Sequence, residues 1–462
     1  MPPGGVIAPG AREPGARDSQ GDAGVAIRPA IEVEARAITP APTRAHQSPM
    51  FSAQQFVSIL TITVALHLIL LAVAYAVLLE RKISAWVQNR VGPNRTGFNF
   101  GQSFMPKFHF WGLGQPIADG LKLLLKEDYT PPAVDRKLFL LAPVLGVLPA
   151  LVAWAIVPWG GVWDFPGLTL FGVEIAEAGT AVVAAAPIHV GVLFFLAVGS
   201  LAVYGVVLAG YASNNKYSFL GGMRATAQML SYEIPLGVSV LILILLFSTP
   251  RVDLLVQFQA TGIFNWNVLY LPLLAVLFFT CQLAEANRTP FDLAECEQEL
   301  VGGFHTEYSS MKFALFFLAE YMHVVTAAAF FVLLFLGGWD IPFIALPAAG
   351  GIGLVLLKSA VFAFKIFLVV ALIMLIRWTL PRFRFDQLMK LAWRGMIPVS
   401  LILLLGAAVV VYLDLPGRMW WMLGINVATF LGMVLVSPYM PRKGMENRRI
   451  PLLGSRFSPA ET

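Results

Sequence analysis

Charge is what this sequence has least of. Only 13% of its 462 residues are Asp, Glu, Lys or Arg, against 58% that are hydrophobic. A mean hydropathy of +0.73 leaves too few polar side chains to cover a water-facing globule, which excludes a soluble domain and makes the bilayer the expected solvent. Cysteine is scarce too. Cys281 and Cys296 are the only thiols, whereas an iron–sulfur cluster takes four, and neither lies in a stretch that reads as extracytoplasmic, so a disulfide is not expected. Any electron carrier must then belong to a partner, and no metal site is assigned. His67 and His323 fall within apolar runs, but no repeated His pair supplies the axial ligands of a b-type haem; they read as polar packing or minor proton-path residues. The net charge of +5 forms no basic domain, because Lys and Arg are spread between apolar runs, so nucleic acid is not an expected partner. The alternation of β-barrel strands and any obvious internal repeat are also missing, which withholds direct support from an inverted-repeat transporter.

What is present is a series of long apolar runs. Segments able to span about 30 Å of hydrocarbon at about 1.5 Å per residue fall near 52–79, 138–159, 187–211, 226–248, 266–284, 312–337, 350–376, 393–413 and 419–438. The expectation is an all-α integral membrane protein with a bundle of about nine transmembrane helices. Lys and Arg number 9, 2, 2, 5 and 5 in stretches 80–137, 212–224, 285–312, 377–394 and 442–456, whereas the opposite connections hold only Arg251 and Arg418. By the positive-inside rule the N-terminus lies outside and the C-terminus in the cytoplasm. Residues 1–49, rich in Ala, Pro, Gly and Arg, show no periodicity and read as a disordered extension without the apolar core of a signal peptide. Met50 directly precedes the first apolar run and reads as a candidate start.

The connection 285–311 departs from this charge rule. It gathers Glu285, Arg288, Asp292, Glu295, Glu297, Glu299 and Glu307 on the side where cations are favoured. A solvated acidic loop is the simpler alternative, but Phe291, Leu293, Leu300, Val301 and Phe304 point to partial burial, and crowded buried carboxylates can hold or release protons near neutral pH. Ionisable residues also interrupt the spans. Glu320 lies roughly 13 Å into the sixth run and Lys365 near the middle of the seventh. A charge at the bilayer centre costs about 2.5–3.5 kcal/mol, so both are expected to face the interior and to pair with each other or with Glu233. Glu233 alone has the option of snorkelling to the interface. In the first loop, Leu121, Leu124 and Leu125 recur at helical spacing with Lys122 and Lys126 on another face, the pattern of an amphipathic helix at the membrane surface. Its role is either lipid anchoring or a portal for an amphipathic molecule.

Four runs carry a resemblance: GQPIADGLKLLLKE from Gly114, GGMRATAQMLSYEIPLG from Gly221, LAEANRTPFDLAECEQELVGGFHTEYSS from Leu283 and PRFRFDQLM from Pro381. From about Met50 to Leu413 the chain resembles the H-subunit family of bacterial NADH-quinone oxidoreductase, whose mitochondrial counterpart is chain 1 of complex I. The resemblance implies eight helices, sometimes nine, that form much of a quinone chamber against a peripheral arm. It implies FMN and iron–sulfur clusters in partner subunits, no redox cofactor on this chain, and quinone as substrate. Further partners it implies are the peripheral-arm quinone-site subunits, small membrane subunits leading to antiporter-like subunits, and membrane lipid. Carried over by position, the chamber and its mouth involve Arg81, Arg90, Asp119, Arg224, Arg288, Asp292, Arg377, Arg382, Arg384 and Asp386, and the proton-linked chain involves Glu233, Glu285, Glu295, Glu297, Glu307, Glu320 and Lys365. Reduction of a quinone consumes protons and places negative charge on its headgroup, so fixed Arg cations and titratable Glu residues suit that chemistry.

The expected organisation is an extension over 1–49, a membrane domain like the family's H subunits over 50–413, an extra helix over 414–441 and a basic cytoplasmic tail over 442–462. The extension has no expected counterpart in the family, and only some members carry the extra helix and tail. The expected location is a bacterial inner membrane. The nearest rival is the membrane anchor of a related proton-linked hydrogenase; a stand-alone transporter and a purely structural anchor are more distant ones.

Overall fold

The structure, a computed structural model, describes residues 50–97, 110–170, 173–260, 262–293, 300–344 and 346–436. The expected extension over 1–49, Glu295, Cys296, Glu297, Glu299 and the basic tail over 442–462 lie outside the described residues.

The chain is an all-α multi-pass membrane protein. Its long helices are α1 (Ala53–Val87), α3 (Arg136–Val152), α4 (Gly191–Ala212), α5 (Lys216–Phe247), α9 (Ser310–Phe335), α10 (Ile352–Thr379), α12 (Ile397–Tyr412) and α13 (Arg418–Val436), with shorter α2 (Gln115–Leu125), α6 (Val252–Gln259), α7 (Asn267–Tyr270), α8 (Pro272–Glu285) and α11 (Phe385–Lys390) between them. Among the described residues eight helices are long and apolar enough to cross a membrane, α3 counted with its terminal turn and α11 counted with α12, and α8 is a shorter apolar one. The fifth expected run is therefore split. Asn267–Tyr270 ends at Leu271, and Pro272 restarts the helix at its first position, where the missing N–H costs nothing.

Helix α1 shows how burial sorts its residues. Ser52 caps it through a reciprocal pair with Gln55. Ala65, Ile69, Val73, Ala76 and Ile83 are buried at helical spacing, while Ile59, Ile62, Leu66 and Leu70 face outward as a lipid-contacting stripe. At 35 residues it is about 52 Å long, longer than the hydrocarbon is thick, so its charged C-terminal turns project beyond it. Helices α3, α4 and α5 approach closely through small residues: a Cβ on Gly205 would stand 2.8 Å from the Gly146 nitrogen, and one on Gly210 2.7 Å from the Ser218 carbonyl. Such contacts replace the hydrophobic drive that lipid does not supply. Helix α9 is central and mostly buried, and α13 is peripheral.

The two ends of the bundle differ. At one, short strands that the sequence did not foretell form a cap: β1 (Val162–Phe165) pairs antiparallel with β4 (Gly179–Val182) and parallel with β5 (Ala349–Gly350), and β2 (Leu168–Leu170) pairs with β3 (Val173–Ala176). Gln54 fastens α1 to this cap by bonding both the N–H and the carbonyl of Val182 at 2.9 and 3.0 Å. The other end gathers the charged loops and holds the candidate site.

Candidate functional site

The buried stripe of α1 continues through a residue that does not belong in an apolar core. Glu80 falls in phase with Ala76 and Ile83 and is buried, so its carboxylate enters the bundle instead of water. Three partners meet it. Arg377 of α10 stands 2.5 Å from Oε1, the Tyr321 hydroxyl donates to Oε2 at 2.8 Å, and Arg288 lies 3.5 Å from Oε2. Arg288 also binds Glu320 at 2.8 Å and stacks over the Tyr321 ring at 4.2 Å. Nearby, Arg382 pairs with Asp292 at 2.8 Å. Burial pushes the Asp292 carboxyl above the usual range, and Arg382 and Arg288 pull it back. Arg288, Arg377 and Arg382 thus face Glu80, Asp292 and Glu320, and the opposed charges make this burial tolerable.

Local backbone chemistry sets this network. After α8 the chain turns through Asn287 at φ 49°, a left-handed position that Asn adopts more readily than most residues. The fully buried Gln228 amide of α5 donates to the carbonyls of Ala284 and Phe291 at 2.8 and 2.7 Å, which fixes both sides of that turn. Phe291, Leu293, Leu300 and Phe304 are buried as expected. Val301 is not: it is 60% exposed, at φ 68°, because the left-handed turn directs it outward.

A cavity of about 290 Å³ opens beside the network between α1, α2 and α9. Its walls are mainly apolar, with Val73, Val77, Phe317 and Leu318, and Arg81, Asp119 and Lys122 stand at its polar side. Arg81 binds Asp119 at 2.7 Å, and Gln115 steadies the same carboxylate at 3.0 Å. Tyr321 lines this cavity as well as touching Glu80. Helix α2 is amphipathic as anticipated, with Leu121, Leu124 and Leu125 exposed.

Beyond Glu320 a second, smaller space of about 50 Å³ is bordered by Glu320, His323, Asn287 and Glu285, large enough for water by volume and polar enough to bind it. A further gap of about 10 Å³ carries on past Glu285, His323, Gln282 and Thr326. Gly199 of α4 makes room here, since a Cβ on it would lie 3.3 Å from Glu285 Oε1. Glu285 in turn lies within electrostatic reach of Glu233 on α5.

Other expected site residues lie apart from this path. Glu307 accepts from Asn215 at 2.6 Å near the start of α5. Arg90, Arg384 and Asp386 are exposed, with Asp386 bound to Lys390 at 3.3 Å, and Arg224 stacks over Phe385 at 5.7 Å. Lys365 pairs with neither Glu320 nor Glu233. Its ammonium donates to the Leu336 carbonyl at 2.7 Å and sits 4.2 Å over the Trp266 ring, because it reaches the far end of α9.

Comparison with known proteins gives this arrangement its context. A family model described as NADH dehydrogenase matches residues 60–408. The chain belongs to that family. Similar proteins are the first of the NADH-quinone oxidoreductase H subunits of Cytophaga hutchinsonii, 41% identical over 353 residues that cover 76% of this chain and 96% of that one; the H subunit of the same enzyme in Leptospira biflexa, 44% identical over 356 residues, covering 74% and 91%; and the first H subunit of Geobacter sulfurreducens, 43% identical over 350 residues, covering 75% and 92%. The NADH dehydrogenase match contains the whole network from Glu80 to Arg382 and excludes α13.

Glu80, Tyr321, Gln228 and Gly199 were not foreseen as site residues. Glu80 had a readable signal, the helical phase that places it with Ala65, Ile69, Val73 and Ala76. Gly199 had none, since its role is to lack a side chain beside a residue distant in sequence.

Proposed function

We propose that this chain is the membrane subunit of an NADH:quinone oxidoreductase that receives the quinone and links its reduction to proton movement. One observation carries the reading. The cavity of about 290 Å³ touches Tyr321, Tyr321 bonds Glu80, Arg288 joins Glu80 to Glu320, and Glu320 opens onto the small cavity shared with His323 and Glu285. A hydrophobic entrance is thereby connected to a line of buried titratable groups that continues toward Glu233.

In this reading an isoprenoid substrate enters from lipid between α1, α2 and α9. Arg81 and Lys122 hold the mouth electropositive, and the arginines fix a positive field where the headgroup gains electrons. Quinone reduction draws protons, and the resulting change of charge is felt first by Glu80 and Asp292. Arg288 lies between carboxylates, so a proton taken by Glu80 weakens its hold on that group and strengthens its hold on Glu320, which moves charge along the line without Arg itself titrating. Glu295, Glu297 and Glu307 complete the acidic loop in this proposal, and Arg90, Arg224, Arg384 and Asp386 line the surface that meets the peripheral arm. FMN and iron–sulfur clusters belong to partner subunits, small membrane subunits receive the coupling on the Glu233 side, and the chain lies in a bacterial inner membrane with its charged end in the cytoplasm.

The test is purification of the tagged chain in mild detergent with a photoreactive quinone. Co-purifying flavin and iron–sulfur subunits, inhibitor-sensitive NADH:quinone reductase activity and label near Arg81 or Tyr321 are expected. A partnerless chain, or hydrogenase activity without quinone labelling, would overturn the proposal.

A further inference from the structure

At the capped end of the bundle, α9 finishes with three carbonyls taken by side chains from elsewhere. Gln259 donates to Leu333 at 3.0 Å, Asn267 to Leu334 at 2.7 Å and Lys365 to Leu336 at 2.7 Å. The first two are neutral amides, and only the last is a cation. Its ammonium also lies 4.2 Å over the Trp266 ring, whose indole N–H donates to the buried Asp340 at 3.1 Å. A helix C-terminus, an aromatic face and a nearby carboxylate all favour an ammonium over a neutral amine.

Along α9 a long apolar stretch separates this cluster from the proton-linked groups. His323 and Leu336 are 13 positions apart in the chain, about 20 Å along a helix. No titratable side chain lies on α9 between them. Val324, Val325, Ala327, Ala328, Ala329, Phe330, Val332, Leu333, Leu334 and Phe335 are buried there, Phe195 stacks on Phe330 at 3.5 Å, and the Thr326 hydroxyl is spent on the Met322 carbonyl. Proton transfer needs donor and acceptor in hydrogen-bond reach or joined by water, and from Ala327 to Phe335 the side chains of α9 are all apolar.

We infer that Lys365 is a fixed cation that closes the capped end of the bundle to protons, and not a carrier in the path. A positive charge in a low-dielectric wall repels protons approaching from that side, while the apolar stretch of α9 denies them a route inward. The inference rests on the proposed proton-moving role of the complex.

Arg and Met at this position separate the two roles, because Arg keeps the charge but cannot give up its proton. Purified wild-type, K365R and K365M complexes would be placed in liposomes. Passive proton entry would be followed with a pH-sensitive dye under an imposed potassium diffusion potential, and NADH:quinone turnover with proton uptake would be measured separately. K365R should match the wild type in both assays, and K365M should leak about tenfold faster. A K365R complex that turns over without moving protons, or that does not assemble, overturns the inference, as does a K365M complex as tight as the wild type. If K365M yields no complex, K365R decides alone. A wild-type complex without quinone reductase activity would sink the proposed function instead, and the leak comparison under imposed potential would still read Lys365.

Discussion

Both ends of the bundle hold paired cations, with Arg288 buried at one and Lys358 and Lys365 at the other, yet they satisfy them in opposite ways. At the charged end Arg288, Arg377 and Arg382 meet the carboxylates of Glu80, Glu320 and Asp292. At the capped end Lys358 donates to the carbonyls of Pro347 and Ala348 at 2.7 and 2.9 Å, and Lys365 to that of Leu336. A carboxylate changes charge when it takes a proton, so a line of such pairs can pass a disturbance along. A backbone carbonyl does not titrate, so a cation bound to it has no partner whose charge a proton would change. One end is built to respond and the other to hold.

The largest effect should come from removing the cation that two acids share. Arg288→Met leaves Glu80 and Glu320 facing each other in a buried setting, and breaking a buried pair costs roughly 3–5 kcal/mol. NADH:quinone turnover per assembled complex should fall by at least about a hundredfold. Normal turnover in an assembled R288M complex would remove the network from the mechanism. Glu320→Gln is gentler, since it keeps shape and hydrogen bonding but cannot titrate. Turnover coupled to proton uptake should drop by about tenfold or more, with quinone labelling at the mouth preserved. If E320Q pumps normally, the line of charge ends at Arg288 and the small cavity beyond it has no part in coupling.

How far this contrast was legible in the sequence differs between the two ends. Apolar runs placed the nine helical segments, because in lipid the backbone must satisfy itself and helices are the simplest solution. Their depth flagged Glu320 and Lys365 as costly and interior. The partners were not legible, since pairing joins residues far apart: Arg377 to Glu80 and Arg382 to Asp292 each span hundreds or tens of positions, and composition carries no trace of them. Lys365 shows the limit best. Its position near the middle of an apolar run suggested an acidic partner, whereas the end of α9 supplies a carbonyl at the same depth. The strands of the cap were missed because each is only a few residues long, too short to show alternation above the apolar background.

Lys358 tests the holding end directly. It is 1% exposed and has two carbonyl acceptors. Lys358→Met keeps much of the side chain's length and leaves those carbonyls without a donor, which costs on the order of 1–3 kcal/mol. Thermal unfolding of the detergent-solubilised complex should shift downward while turnover per assembled complex stays at the wild-type level. A K358M complex that melts normally but loses turnover as E320Q does would erase the distinction between the ends.

The smallest effect concerns how firmly the responsive end is anchored. His305 packs against Phe304 and Phe313 with ring centroids 5.2 and 5.4 Å away, and the adjoining Gly303 lies under α5, where a Cβ on Gly221 would come within 2.7 Å of it. Burial pushes the imidazole down from 6.5 to about 4, so the fold favours its neutral form. The stabilisation is therefore complete above about pH 6.5 and is lost as pH falls through about 4. Amide exchange over 300–310, corrected for its intrinsic pH dependence, should rise across that interval in the wild type. His305→Phe keeps an aromatic ring against its neighbours and removes the titration, so its profile should stay flat. If the variant opens on acidification as much as the wild type does, the anchor is released by another group.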